Sequence, residues 1–74
     1  MKSFNWLNIE EIVFKLYDLY PETDPLTVRF TDLTSWVRSL EGFEEEKGPK
    51  VNEKILETIQ MRWLEEYRMD HQDV

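Results

Sequence analysis

Three stretches of the chain repeat apolar residues at helical spacing, and segments rich in proline, glycine and acids separate them. In "NIEEIVFKLYDLYP", Ile9, Ile12, Val13, Leu16 and Tyr20 fall on one face of a helix predicted over about 8–20. Asn8 is placed to cap it, with Glu11 reaching back to the cap amide. Pro21 ends it, because proline has no N–H to donate and disfavours helix at the residue before it. Trp6, just ahead of the cap, is positioned to staple the first turns.

In "TDLTSWVRSLEG", Leu33, Trp36, Val37 and Leu40 share a face, which predicts a second, shorter helix over about 32–41. Thr31 or Asp32 would cap it, and Gly42 in a left-handed conformation would close it. Between these helices, Asp24-Pro25 pairs a capping carboxylate with a proline suited to the first helical position, so a single helical turn is expected. Val28, Arg29 and Phe30 suit a short extended piece. Residues 42–51 read as a loop turning at Gly48-Pro49. A third helix is expected over about 52–68, capped by Asn52. Its core stripe is Ile55, Leu56, Ile59, Trp63 and Tyr67, with Glu53 and Glu57 on the outer side. The last five residues, "DHQDV", read as frayed.

The pattern predicts a mainly α, three-helix domain across residues 1–74, with at most very short extended segments. Its expected core is Ile12, Leu16, Leu33, Trp36, Val37, Ile55, Ile59 and Trp63.

Composition narrows the function classes. At 41% hydrophobic and 14% aromatic residues the chain is globular rather than disordered. It has no cysteine, which excludes disulfides, cysteine-ligated zinc, cysteine-held clusters and thiol nucleophiles. No leader pattern and no apolar run of about 18 residues is present, so a cytoplasmic protein that does not cross a membrane is expected. Nine basic against sixteen acidic residues give a net charge of −7, which opposes binding to nucleic acid. A basic protein partner or a cation fits that sign.

Little in the chain suits catalysis. The only histidine, His71, lies in the tail, and two glycines cannot build a phosphate-binding loop. No catalytic residue is assigned, and an enzyme is not expected. Carboxylates are the abundant resource, concentrated in "GFEEEKGPKV" at Glu44, Glu45 and Glu46. Such a run serves solubility, a hard cation or a basic partner. The alternating acids and central glycine of a calcium loop are missing, so any cation site would be weak and exchangeable.

Two longer blocks carry more information: "YPETDPLTVRFTDLTSW" (Tyr20 to Trp36) and "NEKILETI" (Asn52 to Ile59). With the acidic "FEEE" between them, the chain resembles the IscX (YfhJ) family of iron–sulfur cluster assembly from about Trp6 to Glu66. The resemblance implies a helical fold related to the winged helix, without DNA binding. It implies docking on the cysteine desulfurase IscS through an acidic surface, weak binding of ferrous iron by exposed carboxylates, and competition or concert with frataxin. The family's acidic run falls on Glu44, Glu45 and Glu46, and its third-helix acids on Glu53 and Glu57. These five are the implied metal residues. With Asp18, Glu22 and Asp24, after the first helix, they also form the implied partner-binding set.

Two departures from the family pattern bear on the metal. Glutamates stand where the family usually has aspartates, and Lys47 precedes Gly48-Pro49. Val51 replaces the serine common before "NE", so Asn52 alone must cap the third helix. Two functions fit: a module that docks on and regulates a desulfurase, or an iron donor for which delivery is the main task. The acidic loop is expected to contribute little to the core, so its charges should be reversible without harm to the fold.

Overall fold

The structure is a computed structural model that describes residues 3–70. Helix α1 spans Ile9–Leu19, α2 Phe30–Arg38 and α3 Glu53–Asp70, with short 3₁₀ turns at Pro25–Thr27 and Glu45–Lys47. His71 and the rest of the tail lie outside the described residues, whereas Asp70, read above as frayed, is the last residue of α3. Among the described residues there is no strand, only an isolated parallel bridge between Phe4 and Phe43.

The helix ends follow local chemistry, with two corrections. Asn8 precedes α1, but its Oδ1 turns back to accept from the Asn5 amide at 2.9 Å and makes no side-chain cap. Asn5 in turn accepts from the Leu7 amide at 2.9 Å, so the two asparagines tie the incoming chain into a local turn. The second correction is α2, which begins at Phe30, ahead of Thr31 and Asp32. Arg29 stands at its cap position without a side-chain hydrogen bond. Asp32 therefore lies in the first turn, where its charge suits the helix dipole.

The same helix ends at Arg38 rather than Glu41. Gly42 does adopt a left-handed φ of 88°, in the turn that follows. That turn, closed by the Phe43 amide on the Leu40 carbonyl at 3.1 Å, buries Leu40 and sends Phe43 to Phe4. The other two caps hold as read. Asn52 accepts from the Ile55 amide at 2.9 Å, and Asp24 from the Leu26 amide at 3.0 Å.

The core joins Ile12, Val13 and Leu16 of α1 to Leu33 and Val37 of α2 and to Leu56, Ile59 and Trp63 of α3. Fully burying such side chains contributes about 1.5–3 kcal/mol each, which is the main drive to fold. Two expected members, Trp36 and Ile55, are only partly buried and pack against this cluster. Trp36 stacks on Tyr20 with ring centroids 4.3 Å apart, and meets Trp63 edge-on at 6.4 Å. Its place at the centre is taken by Trp6, which is 0% exposed and packs edge-on against Phe43 at 4.9 Å. Phe4, also buried, meets Phe43 at 5.6 Å. The segment before α1 is thus a structural element, clamped to the acidic loop by Phe4 N to Gly42 O (3.0 Å) and Glu44 N to Phe4 O (2.7 Å).

Candidate functional site

The acidic run does not behave as three equivalent charges. Glu45 is turned inward and shared between two partners. Its Oε1 accepts from Arg38 Nε at 2.9 Å, and its Oε2 from Arg38 Nη2 at 2.8 Å and Trp6 Nε1 at 3.1 Å. A bidentate guanidinium pair of this kind fixes geometry as well as charge. The Arg38 and Trp6 hydrogen bonds hold the Glu45 carboxyl below the ordinary carboxylate range, and the same carboxylate pushes the Arg38 guanidinium up. The loop therefore carries a latch that joins α2, the N-terminal segment and the acidic run, contrary to the expectation that it adds little to the core.

Glu44 and Glu46 flank the latch and are exposed. Glu44 pairs with Lys47 at 3.2 Å across the 3₁₀ turn, a surface contact with both groups largely in water. Glu46 borders an open cleft of about 580 Å³ with Arg38, Gly48, Pro49 and Lys50. Gly48 lies so close to Asn5 that an added Cβ would sit 2.5 Å from Asn5 Cγ, and Asn5 Nδ2 donates to the Lys47 carbonyl at 3.2 Å. The run is thus in use within the fold: the long Glu45 side chain reaches both Arg38 and Trp6, and Lys47 pairs with Glu44.

The remaining predicted residues divide by position. Glu53 and Glu57 lie one turn apart on α3 and are both exposed. Asp18 is exposed near the end of α1, and Glu22 is exposed in the connector, close enough to Tyr17 to bear on its titration. Asp24 is partly buried, and its Oδ1 serves the 3₁₀ turn. Among the described residues, no three Asp, Glu or His side chains converge in a group fit to hold a metal ion.

Sequence reasoning missed the long-range partners. Arg38, Trp6 and Glu45 are separated by up to 39 positions, and no periodicity links them. Arg62 is half legible: Glu65 and Glu66 stand at helical spacing on α3, at 3.1 and 3.2 Å. Its third carboxylate, Glu10 on α1 at 2.5 Å, lies 52 positions away. The Tyr17 hydroxyl donates to Asp70 from α1 to α3, and that hydrogen bond, with the surrounding acids, pushes the phenol up to about 12.

Comparison with known proteins agrees with the resemblance drawn from the two sequence blocks. The family model described as iron-sulphur cluster assembly matches residues 4–68. The chain belongs to this family, IscX/YfhJ. It is also similar to the uncharacterized protein PA3808 of Pseudomonas aeruginosa, 41% identical over 64 residues, which cover 86% of this chain and 96% of that relative. For an IscX-family chain, the matched span takes in both the clamped segment at Phe4 and nearly all of α3. No helix among the described residues is long and apolar enough to cross a membrane.

Proposed function

We propose that this chain is an accessory protein of iron–sulfur cluster assembly that docks on a cysteine desulfurase through Glu44, Glu46, Glu53 and Glu57. The observation that carries the reading is the split in the acidic run. Glu45 is spent on Arg38 and Trp6, and its latch fixes the backbone from which Glu44 and Glu46 face solvent. Charges on a fixed backbone lose less conformational freedom on docking than those of a free loop. Asp18 and Glu22 extend the proposed surface, while Asp24 contributes mainly through the turn it caps.

Ferrous iron is proposed as a weak, exchangeable ligand of exposed carboxylates, either as a modulator or as cargo. Oxygen donors taken one or two at a time select poorly among divalent ions. The regulatory reading is favoured over the iron-donor reading because Glu45, the central residue of the run, already accepts three hydrogen bonds.

The test is the association rate on an immobilised desulfurase at low and moderate salt. The Debye length falls from about 30 Å at 0.01 M to about 10 Å at 0.1 M, so steered association should slow steeply over that range. Glu44→Lys/Glu46→Lys should slow association at low salt and leave the melting curve unchanged. Equal rates for the two proteins would remove the loop from the docking surface. Glu45 is unsuitable for charge reversal, since its loss would confound docking with unlatching.

A further inference from the structure

A second surface lies between α1 and α3, formed from residues that the docking proposal does not use. Phe14 projects from α1 with 73% of its surface exposed, in an amphipathic helix whose other face fills the core. Beside it runs an open groove of about 430 Å³, lined by Val13, Phe14 and Tyr17 and bordered by Glu10, Glu11 and Glu66. Arg62, in the groove wall, is already engaged: it binds Glu10 bidentately at 2.5 and 2.7 Å and also meets Glu65 and Glu66. This pairing ties α1 to α3 along the groove. Asp70, which accepts from the Tyr17 hydroxyl, continues the negative rim.

We propose that this groove docks a basic amphipathic segment of a partner protein, an apolar side chain packing on Phe14 while its lysines or arginines meet Glu10, Glu11 and Glu66. Charge complementarity selects this occupant. A second copy of the chain would bring one acidic rim against another in a protein of net charge −7, and an anionic lipid surface would be repelled. The exposed aromatic selects an amphipathic segment over a merely basic one, because a desolvated aromatic anchor carries most of the affinity at such contacts. The site shares no residue with the proposed desulfurase surface at Glu44, Glu46, Glu53 and Glu57, so either can fail alone.

The experiment titrates the isotopically labelled full chain with a helical peptide of leucine and lysine only, and with an oligolysine of the same charge, following backbone amides by nuclear magnetic resonance. The leucine–lysine peptide should shift amides of residues 10–17 and 62–66. Phe14→Ser, at an exposed position, should keep the wild-type spectrum elsewhere and weaken that peptide about tenfold, the loss expected for an apolar anchor. Oligolysine should bind more weakly and be indifferent to Phe14→Ser. Equal binding of both peptides, no effect of Phe14→Ser, or shifts confined to residues 44–57 would overturn the proposal. So would sedimentation showing a wild-type dimer that Phe14→Ser dissolves, since the occupant would then be a second copy.

Discussion

Replacing Trp6 should damage this domain more than replacing Trp36, the reverse of what helical periodicity expects. Trp6 lies outside every helix, yet it is 0% exposed, packs on Phe43 and donates to Glu45. Emptying a buried aromatic site costs about 3–5 kcal/mol. At about 0.05–0.15 kcal/mol per residue, a 74-residue domain holds roughly 4–11 kcal/mol in all. Trp6→Ala should therefore leave the protein marginal. Trp36 is partly buried and already meets solvent, so its truncation loses less transfer energy. Adding the Tyr20 stack, Trp36→Ala should cost about 2–3 kcal/mol. With a urea slope of about 1 kcal/mol/M, the two midpoints should differ by about 1–2 M. Far-UV circular dichroism is the suitable probe, because either substitution changes the fluorescence. A Trp36→Ala midpoint as low as that of Trp6→Ala would refute the assignment of Trp6 to the centre of the core.

Protonation should open the latch. The folded Glu45 carboxyl lies below its ordinary value of 4.5, so its contribution is present above that value and is lost as pH falls through the lower folded one; Glu45→Gln should flatten this acid limb in denaturant melts. Tyr17 has the opposite sign: raised from 10.0 to about 12, it contributes stability below pH 10 that is lost as pH rises through about 12, and Tyr17→Phe should abolish the late phase of an ultraviolet phenol titration. Gly42→Ala should cost about 1–2 kcal/mol in the same melts, because its φ of 88° is strained for any residue with a Cβ. Anaerobic calorimetric titration with ferrous iron should find weak binding that other divalent ions displace, and tight binding surviving Glu44→Ala/Glu46→Ala would refute carboxylate coordination at the loop.

Periodicity located all three helices because each buries one continuous stripe against the others. It missed the boundaries of α2, where Phe30 starts the helix without a side-chain cap and Leu40 leaves it to be buried in the following turn. It also missed the element that completes the core, since Phe4 and Trp6 belong to no repeat, yet both join the core cluster and meet Phe43 edge-on. Caps made by neighbours in sequence, such as Asn52 and Asp24, were legible. Asn8 was not, because Asn5 offered its own amide as an alternative partner. The candidate acids were legible as a set, through composition and the two family blocks, but their division into one latched carboxylate and exposed neighbours was not. That division depends on Arg38 and Trp6, which reach Glu45 only after the chain has folded.

The latch also explains how one short acidic run can serve fold and surface together. Adjacent like charges repel, and in a free loop they would splay in all directions. Here the middle carboxylate is neutralised by Arg38 and held by Trp6, which lowers the repulsion on both neighbours. Lys47 offsets Glu44 in turn, so the segment can close into a 3₁₀ turn despite its composition. An aspartate at position 45 would be shorter by one methylene, and Arg38 and Trp6, on different elements, could not both be reached without moving the backbone. Glu45→Asp should therefore keep the charge yet weaken the clamp between Phe4 and the acidic loop, with the Phe4 and Glu44 amides exchanging faster with solvent than in the wild type. Amide exchange that stays at wild-type rates in Glu45→Asp would show that charge, not reach, holds the latch closed.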